Sequence, residues 1–291
     1  MAQDATSSGQ DMSREFGSLS SEDAAVLGAP LEPSTFSATL PDDDVATWIR
    51  PLLFRMYIAA HILRLGTEAR YAALVFLHRY ARAMNRTNKG KFQRPSHWVA
   101  AACLFLGTKS EDEPRRLRDM INMAYMVLND DNDHETSTTI HNESPIIFHL
   151  QPTPPNLDEQ YWDAKKKIIE TEQIVLRWLG FDVFVPHPHR AVALLLQHLP
   201  QPEQQVIAPI ASQRLNDGLF HSATLQHGVL ELACAAIELA KQQSGRTNMV
   251  GLPPRWWHEY QISDDQVQLV MTHLEEATNI LENLSMQSPN R

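Results

Sequence analysis

Two charged residues stand where a helix packed among other helices does not ordinarily carry charge. Lys109 closes the run WVAAACLFLGTK, residues 98–109, whose apolar side chains cover the helix nearly all round, the mark of a segment surrounded by others. Glu172 lies three or four positions from Ile168, Ile169, Val175 and Leu176, which sets its carboxylate on an apolar stripe. A half-buried carboxylate is costly unless a cation or N–H donors meet it. Spacing alone leaves two readings open. A Lys109–Glu172 pair, or either residue at the rim of its stripe, stabilises the fold, or the two form a polar anchor within an otherwise apolar interaction face.

Other chemistry finds little support. NKGKF has a lysine but lacks the glycine spacing of a phosphate loop, and the thirteen histidines include no HExxH pair. His187 and His189 flank a proline in HPHPHR with no cysteine or acidic cluster nearby, so turn structure outweighs metal ligation. No GxSxG elbow occurs. The reading is of a chain that is not an enzyme, with no catalytic residue, cofactor or metal. Cys103 and Cys234, the two cysteines, each sit in an Ala-rich helical run and read as buried thiols in a reducing compartment.

The elements that must hold Lys109 and Glu172 are helices. From Val45 to Arg86 two helical stripes are separated by Gly66 and Thr67, and a polar loop follows over 85–94. Ser96 reads as an N-cap for the run 98–108, and small residues at 100–102 allow close helix approach. Pro114 suits the first turn of a helix over 115–128. A helix over 158–179 is closed by Gly180 as its C-cap. Pro186 and Pro188 break any helix in the turn HPHPHR, after which helices are expected over 190–199, 203–217, 225–243 and 264–284. No alternating strand of useful length is found, so the fold class is all-α. A faint internal echo sets AACLFLGTK beside LACAAIELAK, aligning Lys109 with Lys241.

Charge is unevenly spread along the 291 residues, which total −10. Residues 1–44 carry nine acids and one base, residues 45–128 fourteen bases and five acids, and residues 129–163 eight acids and no base. The first segment, rich in Ser, Asp, Gly and Pro, reads as a disordered acidic leader without a secretory signal. The insert 129–158 reads as mobile. The basic block admits a solvated face, a contact to an acidic or phosphorylated partner through Arg115, Arg116 and Arg118, or nucleic acid. No apolar stretch reaches the length needed to cross a bilayer.

Two stretches together resemble the cyclin family. AACLFLGTKSEDEPRRLRDMIN (101–122) is similar to the cyclin-box run in which a helix ends in Lys followed by two acids. ETEQIVLRWLGFDVFVPHPH (170–189) resembles the segment whose helix carries a Glu and ends in Leu-x-Phe before the linker to a second box. The PHPH linker, RDMIN and the WW near residue 256 look most like the transcription-type cyclins, of the cyclin Q and cyclin L kinds. The likeness covers about 45–284. Asp112 departs from the commoner second Glu.

The resemblance implies tandem five-helix cyclin boxes at 45–185 and 186–284, with a tail at 285–291. It implies a regulatory subunit that forms a heterodimer with a cyclin-dependent protein kinase and activates it in transcription or RNA processing. By position, Lys109 and Glu172 match the family's pair that bonds main chain beside the kinase's mobile helix, and Phe105, Leu106, Glu111, Ile168 and Ile169 are the accompanying contact candidates. A nuclear location, possible also in the cytoplasm, is expected from the same source. No membrane association is implied, and direct nucleic-acid binding is disfavoured. Two alternatives stay open: a cyclin-fold general transcription factor of the IIB kind that binds DNA or polymerase, and a helical scaffold without a kinase.

Overall fold

A computed structural model of the chain describes residues 42–87, 95–128, 156–246, 249 and 251–287. The leader up to residue 41, the insert 129–155 and residues 288–291 lie outside the described residues. Nine α-helices appear among the described residues: α1 Asp42–Ile62, α2 Thr67–Thr87, α3 His97–Ser110, α4 Leu117–Met123, α5 Glu159–Trp178, α6 Pro188–Leu196, α7 Gln201–Gly218, α8 Val229–Gln243 and α9 Asp264–Gln287. A π-helical turn, Ala124–Leu128, continues α4, and 3-10 turns occupy Ser222–Gln226 and Trp256–Tyr260.

The helices gather into two bundles. In the first, α3 lies between α2 and α5 and also touches α1 and α4. Its buried residues, Val99–Leu104 and Leu106–Thr108, leave almost no face to solvent, as the all-round apolar pattern predicts. The α2 backbone comes close at Gly107: an added Cβ would fall 2.8 Å from the Ala69 carbonyl oxygen and 2.9 Å from the Ala73 nitrogen. The small residues 100–102 are buried as expected. In the second bundle α8 takes the equivalent central place, against α6, α7 and α9. The turn Trp256–Tyr260 lies between α8 and α9, where the first bundle has α4.

Helix ends follow backbone chemistry. Beyond α5, Gly180 takes φ +62, the Phe181 N–H donates to the Leu176 carbonyl and the Gly180 N–H to that of Arg177. That is the paired closure a left-handed residue permits. One expectation holds in position only, and two are corrected. Ser96 stands at the N-cap of α3 with extended backbone but makes no side-chain capping bond. Pro114 does not enter α4: Arg115 donates to the carbonyls of Leu63 and Arg64 and to Glu113, which keeps the chain unwound until Leu117. Pro188 does not break a helix but begins α6 at its first position, where a missing N–H costs nothing.

Among the described residues, part of the basic block is structural. Arg50 and His78 donate to the carbonyls of Phe220 and Leu219 at the end of α7, and Arg82 donates to that of Ser222. Arg79 reaches the Phe184 carbonyl and Arg55 that of Leu128. Arg55, His78, Arg79 and Arg82 are all buried. Arg50 and His78 thus satisfy acceptors just past the C-terminal end of a helix from the other bundle, where its dipole is negative. Phe220 is wedged edge-on against Phe54 and Tyr57 at the same seam.

Candidate functional site

Lys109 occupies the last turn of α3, and Glu172 the middle of α5 on the side turned toward α3. A lysine at this end is favoured by the helix dipole. The turn after it closes through Asp112, at φ +52: the Glu113 N–H donates to the Thr108 carbonyl and the Asp112 N–H to that of Lys109. On α5, Ala164, Ile168, Thr171 and Val175 anchor the helix in the core, and Glu172 rides the edge of that stripe.

The two charges meet. The Lys109 ammonium donates to both oxygens of Glu172, at 2.7 and 2.9 Å, and lies 3.9 Å from the centre of the Phe105 ring one turn earlier. The Lys109 side chain keeps 43% of its exposure and that of Glu172 12%. Two of three ammonium donors are engaged by the carboxylate, which leaves one for an approaching acceptor. The ring beneath adds a cation–π contact and limits where the ammonium can swing. The arrangement suits recognition of main-chain groups.

Of the remaining candidates, Phe105 is half-buried beneath the ammonium and Ile169 is exposed on α5. Leu106 and Ile168 are not on the outward face: they are 5% and 0% exposed and pack into the core. Ile168 and Ile169 are adjacent, hence about 100° apart round the helix, and of the pair only Ile169 faces solvent. Glu111 turns away from Lys109 toward the linker, with an oxygen 3.1 Å from His187 Nε2.

Helical periodicity does not single out the exposed apolar residues on and beyond α5. Ile174 is 42% exposed, and Phe181 and Phe184 are 68% and 60% exposed on the extended exit from the helix. Phe181 has a left-handed backbone next to Gly180, and the Phe184 main chain is held by Asp182 and Arg79. A sequence signal for them does exist: two phenylalanines just past a glycine C-cap have no helix left to bury them. The thiols of Cys103 and Cys234 are buried and held above their ordinary range by burial, which makes them poor nucleophiles. Among the described residues no group of three or more His, Cys, Asp or Glu is placed to hold a metal ion, and no helix is long and apolar enough to cross a membrane.

Residues 42–184 match the cyclin N-terminal domain. Human cyclin-L1 is 29% identical over 72% of the chain, and mouse cyclin-L2 is 30% identical over 78%. Those alignments take in 36% and 40% of the relatives, so the chain spans about two fifths of their length. Among solved structures, the yeast RNA polymerase II CTD kinase CTDK-1 complex contains a chain that superposes with TM-score 0.54 at 14% identity, covering 85% of this chain and 72% of that one. The CAK complex of Chaetomium thermophilum bound to ATP-γ-S gives 0.50 at 14% identity, covering 94% and 78%. These two likenesses concern the fold. With the domain match, the L-type relatives and two helical bundles built round α3 and α8, the chain belongs to the cyclin family.

Proposed function

We propose that this cyclin is the regulatory subunit of a cyclin-dependent protein kinase, and that its first bundle docks on the kinase's mobile regulatory helix. One observation carries the reading: the Lys109–Glu172 pair is formed at the surface, with the ammonium still open to solvent, beside exposed Ile169 on the same helix as Glu172. Kinase chemistry needs a glutamate on that mobile helix to orient the lysine that holds ATP phosphates. A partner that binds only the inward position of the helix shifts the population toward the active state. The cyclin supplies binding energy and no catalytic group.

Apolar contact supplies most of the affinity in such an interface, while the charged pair fixes register. Phe105, Ile169, Ile174, Phe181 and Phe184 furnish that apolar surface. Leu106 and Ile168 support it from below, and Glu111 acts indirectly. The two boxes act as units with their boundary near residue 186. The L-type relatives and the kinase complexes among the structural neighbours support a role in transcription or RNA processing, and with it a nuclear location. The buried members of the basic block are engaged with main-chain carbonyls and are not available to nucleic acid.

The test is co-expression with a panel of recombinant cyclin-dependent kinase catalytic subunits, followed by pull-down and kinase assay. One subunit is expected to be bound and activated by the parent chain and not by Lys109→Glu or Glu172→Lys, with helical circular dichroism unchanged. Activation retained by both variants would sink the assignment.

A further inference from the structure

The acids that follow Lys109 are met from two sides. Glu113 accepts the Gly66 N–H at 2.7 Å and an Arg115 donor at 2.6 Å, which ties the turn to the α1–α2 connection of its own bundle. Glu111 is approached from the other bundle by an imidazole that makes no hydrogen bond to it and by a guanidinium at ion-pair range. One of its oxygens lies 3.1 Å from Nε2 of His187, whose side chain is only 2% exposed, and the other lies 3.8 Å from Arg190. Arg190, in the first turn of α6, also grips Glu68 through two parallel bonds of 2.8 and 3.0 Å, and this guanidinium holds the Glu68 carboxyl below its usual range. The Tyr71 ring packs against both His187 and His189. The start of α2, the end of α3, the linker and the start of α6 therefore meet at one polar knot two residues from Lys109.

We propose that Glu111, His187 and Arg190 form a positioning latch by which the linker and second bundle fix the last turn of α3, and with it the Lys109 ammonium. The inference rests on the docking role of Lys109 given above. A helix end frays unless its terminal groups are held, and this one closes through a non-glycine residue at positive φ. The latch explains why an acid in the partner-facing motif points inward. It also gives the second bundle a part in a site that lies wholly on the first.

Amide hydrogen exchange on the full chain tests the latch without any kinase. In Glu111→Gln and in Arg190→Ala, the Asp112 and Glu113 amides are expected to exchange at least tenfold faster, while amides in the middle of α3 and α8 keep their protection. Affinity for the kinase subunit that the parent chain activates is expected to fall three- to tenfold, with the melting temperature nearly unchanged. Unaltered exchange at 112 and 113, or faster exchange spread evenly through α2 and α6, would overturn the latch. So would local loosening with full kinase affinity in an assay where Lys109→Glu loses binding. If Lys109→Glu binds normally, the docking role fails, and the exchange arm still decides whether the latch exists.

Discussion

The two bundles place the same residue type at the end of their central helices and treat it in opposite ways. In the first, Lys109 on α3 meets a carboxylate from another helix, and its side chain keeps 43% of its exposure. In the other, Lys241 on α8 meets Glu238, three residues back on its own helix, at 2.8 Å, and its side chain is 3% exposed. Both lysines satisfy a buried or half-buried acid. Only one has any charge left to offer outward. What separates a structural ion pair from a docking group here is the origin of the acid: a partner on α5 draws the ammonium to the seam between two helices, which opens to the surface.

The largest difference should appear on charge reversal. Lys241→Glu sets a further carboxylate against Glu238 inside the second bundle, and breaking a buried pair in this way costs about 3–5 kcal/mol. Urea denaturation should show that loss, with the second bundle unfolding first. Lys109→Glu should cost less, about 1–3 kcal/mol, because it leaves the buried Glu172 carboxylate without its cation while the reversed side chain itself can turn into solvent, and it removes kinase binding. Equal destabilisation by both reversals would erase the distinction between the two lysines.

Close packing divides the bundles next. A Cβ at Gly107 would meet α2 backbone at 2.8 and 2.9 Å, whereas at Gly218 it would meet the tip of Leu274 at 2.6 Å and Thr224 Cγ2 at 3.1 Å. Backbone cannot step aside and a leucine methyl can. Gly107→Ala is therefore expected to cost about 2–3 kcal/mol and Gly218→Ala about 1 kcal/mol, measured by denaturant midpoints. Gly107→Ala should also impair kinase binding, because forcing α2 from α3 displaces Lys109.

The seam between the bundles carries titrations of opposite sign. Burial, aided by the charges of Arg82 and Arg50, lowers His78 from 6.5 to about 3, against the opposing bond to the Leu219 carbonyl. Burial also lowers His189, to about 4. Their folded pKa values are depressed, so the stability they support is whole above pH 6.5 and fades as the unfolded chain takes up protons on the way down to pH 4 and 3. Asp217 behaves in reverse: burial, with some help from Glu282 and against Arg214, raises it from 3.8 to about 6. Its penalty is absent below pH 3.8, grows up to about pH 6 and persists above. Asp217→Asn should thus be more stable than the parent at pH 7 by roughly 2–3 kcal/mol, and the gain should vanish near pH 4. His78→Gln should soften the loss below pH 6.5. Denaturation at pH 7, 5.5 and 4 reads both, and a gain for Asp217→Asn that is the same at every pH would contradict the buried carboxylate.

Much of this is legible in the residues, and the gaps have physical causes. The all-round apolar run of α3, the Glu172 stripe and the Gly180 cap are local features, and periodicity or backbone sterics suffices to find them. The choice between Ile168 and Ile169 is not local, because two adjacent apolar residues are equally good core candidates until the neighbouring helices are in place. The use of the basic block is hidden for a similar reason: His78 and Arg82 serve carbonyls about 140 positions away, and no spacing rule reaches that far. The closeness of Glu111 to His187 and Arg190 is hidden for the same reason, because those residues lie beyond the insert.

The smallest effect concerns the ends of α3 and α8. α8 closes through Gly245 at φ +69, α3 through Asp112 at φ +52. An L residue in this region carries strain of about 1 kcal/mol, somewhat less for Asp, while glycine there adds freedom to the unfolded chain. Asp112→Gly should therefore stabilise the chain slightly, by about 0.5 kcal/mol, and Gly245→Asp should destabilise it by about the same amount. The kinase assay adds another axis. If the Asp112 carboxylate itself touches the partner, Asp112→Gly binds less well although it is more stable; if Asp112 serves only to turn the chain, binding is unchanged, because the folded fraction is already close to one. Weaker binding with a higher denaturation midpoint would identify this acid as a contact that the fold tolerates at a small cost in strain.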